Sequence, residues 1–291
     1  MAPLLSNLTA PAPSPPELWL WGACLLGACV GSFLNVVVWR LPREESLLSP
    51  PSHCPRCGTR LAWFENIPLL SWLGLGARCR HCRSRIPVRY PLVELLTAGL
   101  WVAAVLAVPS AMGPEPLAWG RVLAGWLLLS WLIPLTLIDL DRLWLPEPLC
   151  RFGLLLGLAA TALLGLAQGG AVGRALVLNH LLAAGLGLLG FEAMSALAER
   201  VVGQPALGLG DAKLAALLGA WLGLGGLGIT VALAVGSGAL VGLAGRLSGR
   251  LARHDPMPFG PFLASGGAGV WLLGNGFWIE LLGRWGLVGA G

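Results

Sequence analysis

Asp139 closes a long apolar run in Leu137-Ile138-Asp139-Leu140-Asp141-Arg142, and Asp211 opens another in Gly208-Leu209-Gly210-Asp211-Ala212-Lys213. Ionisable groups at membrane depth are costly, so such positions default to a functional reading. The plainer alternatives are that Asp139 and Asp141 are the first water-exposed residues past a helix, and that Asp211 caps a helix N-terminus. Capping and catalysis do not exclude each other. The two carboxylates lie 72 residues apart in the chain, on the same side of the membrane in the topology set out below, and can meet across a helix bundle. Such a pair can hydrolyse a peptide. One carboxylate, ionised, takes a proton from water, while the other, protonated, polarises the carbonyl. His53, His81, His180 and His254 stand in no recognisable Ser-His or Cys-His arrangement, and no nucleophile elbow, H-E-x-x-H or P-loop is present.

A second constellation is made of thiols. Cys54-Pro-Arg-Cys57-Gly and Cys79-Arg-His-Cys82 are two C-x2-C knuckles with 21 residues between them. Each knuckle can present two sulfurs to one ion, a pattern suited to Zn²⁺ held by Cys54, Cys57, Cys79 and Cys82. Two disulfides are the alternative, and a cytoplasmic location weighs against them. Four thiolates leave no open coordination position, which makes the expected role structural. Cys24, Cys29 and Cys150 lack partner spacing and read as small apolar residues of helices.

The elements that must position these groups are membrane helices. Of the 291 residues, 56% are hydrophobic and only 11% charged, and the mean hydropathy is +0.76. A soluble domain carries about 25% charged residues. The apolar runs are continuous, which excludes a β-barrel and predicts an all-α polytopic membrane protein with about eight transmembrane helices. The expected spans are Leu18–Trp39, Leu95–Met112, Val122–Ile138, Phe152–Ala167, Ala175–Phe191, two within the uncharged stretch Leu214–Gly245, and Phe259–Ile279. The glycines from Gly223 to Gly228 mark the break inside the long stretch. The first helix reads as a retained span, because no basic start precedes it. Placing the arginine-rich segment after the first span in the cytoplasm puts all but Arg121, Arg174 and Arg284 of the nineteen cations inside. Both aspartates then sit at the cytoplasmic surface. The basicity sets orientation, and no nucleic-acid partner is expected. The organisation reads as an N-terminal segment with the first helix (1–40), a cytoplasmic four-cysteine loop domain (41–90) and a helical core (91–291).

These residues, in this order, resemble the type IV prepilin peptidases. The likeness runs through Gly31-Ser-Phe-Leu-Asn-Val-Val-Val-Trp-Arg-Leu-Pro42, the first knuckle, Glu65-Asn-Ile-Pro-Leu-Leu-Ser71, the second knuckle and Arg89-Tyr-Pro-Leu-Val-Glu94. It continues through both aspartate motifs and Pro258-Phe-Gly-Pro-Phe-Leu263. The resemblance implies catalytic roles for Asp139 and Asp211 and a bacterial inner-membrane location with the active site facing the cytoplasm. It implies prepilin or pseudopilin substrates, cut after a glycine at the end of a basic leader. It also implies S-adenosylmethionine as the donor for methylating the new N-terminus. The chain departs from the family pattern at Arg142, Glu147 and Ala77. At position 77 the family commonly has glycine; if that glycine serves methyl transfer by a tight backbone approach, the side chain of Ala77 weakens that step.

Asp141, Glu94 and Glu147 are secondary candidates. Glu94 is expected to form a structural ion pair with Arg89, with cofactor binding as the alternative. The competing functional readings are a presenilin-like intramembrane aspartyl protease, which would need no zinc loop, and a non-enzymatic secretion-apparatus scaffold.

Overall fold

The computed structural model describes residues 17–108, 115–202, 208–250, 252 and 256–284. The N-terminal sixteen residues, Met112 at the end of the second expected span, His254 and Arg253 lie outside them. Eight α-helices are described: α1 (Glu17–Arg40), α2 (Leu70–Gly74), α3 (Arg89–Leu106), α4 (Glu115–Arg142), α5 (Glu147–Gln168), α6 (Gly170–Val202), α7 (Leu209–Leu247) and α8 (Gly260–Arg284). Among the described residues there are two isolated β-bridges and no strand. The all-α expectation holds.

Six helices, α1 and α3 to α7, are long and apolar enough to cross a membrane. The sequence divides Leu214–Gly245 into two spans with the break among Gly223 to Gly228, and the structure bears this out: the 39-residue element α7 is two helices meeting at a kink at Gly223 (φ 70°, ψ −178°). That conformation suits a residue without Cβ. The break leaves backbone groups without their helical partners, and the Leu224 N–H donates to Asn179 Oδ1 of α6 (3.2 Å). A side chain from a neighbouring helix thus satisfies the freed backbone, as an interrupted membrane helix requires. The eighth expected span coincides with α8, which is broken at Gly274 and is not among the six.

Large apolar side chains such as Leu25, Leu96, Leu127, Leu163 and Leu182 point outward, as a lipid solvent allows. The interior is built on small residues that admit close backbone approach. A Cβ on Gly219 of α7 would stand 2.5 Å from the Ala183 backbone of α6, and one on Gly187 of α6 would stand 2.7 Å from Ala215 O. Gly153 of α5 leaves room for Leu217 and for the Trp131 ring. The first half of α7 is therefore enclosed by α5, α6 and α8, with Leu214, Ala215, Leu217, Leu218 and Ala220 all buried. In the other half of the bundle, Gly27 and Gly31 stand four residues apart on α1. A Cβ on Gly31 would lie 2.7 Å from the Glu94 Cα of α3.

Candidate active site and metal centre

Asp139 occupies the last turn of α4. The helix stops three residues later because Leu143 turns left-handed (φ 53°), its N–H donating to the Asp139 carbonyl (2.8 Å). This is the left-handed cap geometry, here without glycine. The Asp139 side chain is only 5% exposed, and its Oδ2 accepts the Gly260 N–H at 3.0 Å. The reading of Asp139 as a water-exposed flanking residue is thereby excluded.

Asp141 is different. Its carboxylate is 42% exposed and is held by Arg89 Nη1, at 2.7 and 2.9 Å to its two oxygens. Arg89 Nη2 also donates to Leu137 O (3.3 Å), tying the start of α3 to the end of α4. The expected Arg89–Glu94 pair is not made. Glu94 is one turn further into the bundle and buried, and its Oε2 accepts the Leu69 N–H (2.7 Å).

Asp211 lies in the first turn of α7. The residue at the cap position is Gly208, so the simple capping reading of Asp211 is corrected. Asp211 sits three residues in, and its Oδ2 accepts the Gly208 N–H (3.2 Å), the backward reach of a capping box. Leu145, 6% exposed, is wedged between the two motifs. A Cβ on Gly210 would meet its Cβ at 3.0 Å, and a Cβ on Gly260 would meet its Cδ2 at 3.4 Å. Lys213 Nζ and Glu147 Oε2 form a further tie at 2.9 Å, so Glu147 also belongs to the scaffold of this site.

Gly260 and Leu145 have no chemistry in their side chains that reading the sequence could detect. The available signal for Gly260 is the Pro258-Phe-Gly-Pro motif itself. A Cβ at 260 would stand 2.6 Å from Asp139 Oδ2 and force the carboxylate aside. Gly260→Ala is expected to retain the fold and lower the rate of peptide cleavage about 10- to 100-fold, because misplacement of that size is costly. Single-turnover kinetics on the purified variant would check this.

The four-cysteine segment lies outside the spans and repeats one local design. Gly58 N–H donates to Cys54 O and Arg83 N–H to Cys79 O, at 2.9 and 3.0 Å. The bridges His53–Arg60 and Arg78–Arg85 occupy equivalent places. All four sulfurs fall within 4.8 Å of one another, and Cys54 Sγ is 3.8 Å from Cys82 Sγ. Tetrahedral zinc with ~2.3 Å bonds requires sulfurs ~3.8 Å apart, so the donor set fits that ion. Burial opposes ionisation of Cys54, but N–H groups of Cys57 and Arg56 aimed at its sulfur bring its pKa down to about 6. Cys79 is instead raised, against the pull of the Cys82 and His81 N–H groups, by burial and by its thiol neighbours. Four sulfurs this close ionise together only around a cation.

Ala77 has φ +57° beside Gly76 at +59°. A positive φ is a conformation that glycine adopts at lower cost than alanine. Ala77→Gly is expected to stabilise the loop by about 1 kcal/mol, since a left-handed L-residue costs roughly that much. The check is a higher midpoint for proteolytic opening of residues 41–88.

Between this loop, α1 and α3 lies a cavity of about 500 Å³, bordered by Glu65, Glu94, Trp72, Tyr90, Asn35 and Asn66. The same wall carries Arg40, Arg56, Arg80 and Arg85, so the cavity presents both signs of charge beside its aromatic faces.

A broken-helix membrane bundle that gathers two aspartates at one end, with a four-thiol module beside it, defines a polytopic membrane protein of the aspartic peptidase type. The chain belongs to the type IV leader peptidase family: that family matches residues 126–243, and the bacterial peptidase A24 N-terminal domain matches residues 25–108. Similar proteins include prepilin leader peptidase/N-methyltransferases of Burkholderia pseudomallei (38% identical, covering 94% of this chain and 92% of the relative) and Aeromonas salmonicida (40%, 93% and 92%). Another, from Myxococcus xanthus, is 43% identical over 75% of this chain and 61% of its own length. No solved structure gives a significant match.

Proposed function

We propose that this chain is an inner-membrane aspartic endopeptidase that removes prepilin or pseudopilin leaders after a glycine at the cytoplasmic face and N-methylates the product. The observation that carries the reading is that buried Asp139 and half-buried Asp211 are brought to one place, their neighbours Gly260 and Gly210 both packing on Leu145, in a chain whose relatives are named for both activities. The ionised aspartate takes a proton from water as the water oxygen attacks the scissile carbonyl. The protonated aspartate donates to the carbonyl oxygen. Collapse of the tetrahedral adduct breaks the C–N bond, and the departing amine takes a proton from the dyad. The Gly260 N–H holds one Asp139 oxygen and leaves the other for water or substrate.

Cys54, Cys57, Cys79 and Cys82 would hold a structural zinc that fixes the loop. S-adenosylmethionine, when bound, supplies a methyl group on a sulfonium sulfur. A purified preparation incubated with a prepilin and S-adenosylmethionine should yield a peptide trimmed after the leader glycine and heavier by one methyl at its new N-terminus. Mass spectrometry of that terminus tests both steps. An untrimmed substrate would refute the peptidase reading.

A further inference from the structure

α3 has eighteen residues, about 27 Å of helix, against roughly 30 Å of hydrocarbon. It needs its whole length to cross. Arg89 is then at the membrane surface and Glu94, five residues on, lies about 7 Å inside. Glu94 Oε2 accepts the Leu69 N–H (2.7 Å), so the chain entering α2 reaches that same depth. The neighbouring helix agrees: Pro68, Ser71 and Trp72 share a cavity with Ser32 of α1, which is about two turns inward from Arg40.

The sequence of this stretch suits such a place. Between Glu65 and Arg78 stand twelve uncharged residues, 66–77. An apolar run of that length is too short to span and fits a re-entrant or interfacial segment. Backbone groups at membrane depth have to be satisfied within the protein. The Ser71, Leu73 and Leu75 N–H groups donate to Ile67 O, Leu69 O and Ser71 O (3.0, 3.1 and 2.9 Å), and the Ala77 N–H donates to Trp72 O (2.9 Å). Trp72 Nε1 donates to Ile86 O (3.2 Å). With the polar groups turned inward, Leu70 and Leu73 point out from one face of α2, 67% and 66% exposed. Leu92, Leu95 and Leu96 of α3 are exposed in the same way, at the same depth or deeper. Trp63, 79% exposed, stands where the segment begins, and Arg78 and Arg80 follow where it ends. Tryptophan and arginine are the side chains that anchor a segment at the headgroup level.

We infer that residues 66–77 enter the bilayer leaflet on the side of the two aspartates, with Leu70 and Leu73 against the acyl chains. The partner of this face is the lipid itself. The four-cysteine module is therefore pinned to the membrane at its middle as well as at its two ends, whichever substrate the chain cuts.

The test uses the full chain in phospholipid nanodiscs, with the photoreactive residue p-benzoylphenylalanine in place of Leu73 or, as the lipid-facing reference, of Leu96. After irradiation, mass spectrometry is expected to find phospholipid joined to both positions. Lipid adducts at 96 with none at 73 would overturn the insertion, and so would cross-links from 73 to a second protein chain in place of lipid. Leu70→Glu and Leu73→Glu give a second reading. Each is expected to speed proteolytic nicking between residues 60 and 80 in nanodiscs about tenfold, because a charge is expelled from the leaflet and takes the segment with it. A water-exposed leucine would accept glutamate with less than about a twofold change, and that result in both variants would also refute the insertion. A monodisperse elution profile for each preparation shows that the bundle has folded.

Discussion

Replacing Asp139 or Asp211 by asparagine should each lower the rate of leader cleavage by at least about 10³-fold, because each removes one half of the proton exchange. Asparagine is nearly isosteric, and in Asp139→Asn its side-chain carbonyl can still accept the Gly260 N–H, so the packing around the site should survive. The informative comparison is Asp141→Asn. Asp141 is only two residues from Asp139, but it is half exposed and paired with Arg89. Its loss should cost less than about tenfold, in line with the modest worth of an exposed ion pair. Equal losses at 139 and 141 would mean that the wrong carboxylate has been assigned. Wild-type rates in folded Asp139→Asn or Asp211→Asn would return the scaffold reading to favour.

The second large effect concerns the thiols. A four-thiolate zinc site contributes on the order of 10 kcal/mol of metal-linked folding energy in small modules. The segment around Cys54 to Cys82 has little else: its helical content is one five-residue helix and short 3₁₀ turns, and its β-structure is two isolated bridges. Prolonged chelation, or Cys54→Ser combined with Cys79→Ser, should therefore abolish bound zinc and open residues 41–88 to protease. The transmembrane bundle should remain folded. Zinc retained at wild-type content in the double variant would exclude the four-thiolate site.

Much of this is legible in the sequence, for physical reasons. The knuckles are readable because C-x2-C spacing itself brings two sulfurs to one point. The spans are readable because lipid imposes continuous apolar runs. What stays hidden depends on contacts between distant segments. Asp139 and Asp141 are alike by sequence, yet two positions along a helix differ by about 200° in direction. That turns one under the start of α8 and the other toward Arg89. The Gly260 contact is made by a backbone N–H 121 residues away, which leaves no side-chain signature. Sequence proximity pairs Glu94 with Arg89, when the partner of Glu94 is the backbone of Leu69. The left-handed dihedral angle of Ala77 is not announced by its residue type.

The break at Gly223 makes α7 two mechanical pieces. The piece bearing Asp211 is packed on three sides, while the piece beyond Gly223 turns Val235, Leu240, Val241 and Leu243 to the lipid. The outer piece is also seated in the core, with Leu227, Thr230 and Ala234 buried and the Thr230 carbonyl 3.0 Å from where a Cβ on Gly266 of α8 would stand. One uninterrupted stretch of sequence thus supplies two walls of the bundle: the first carries Asp211, and the second seats α8, whose opening residue Gly260 holds Asp139.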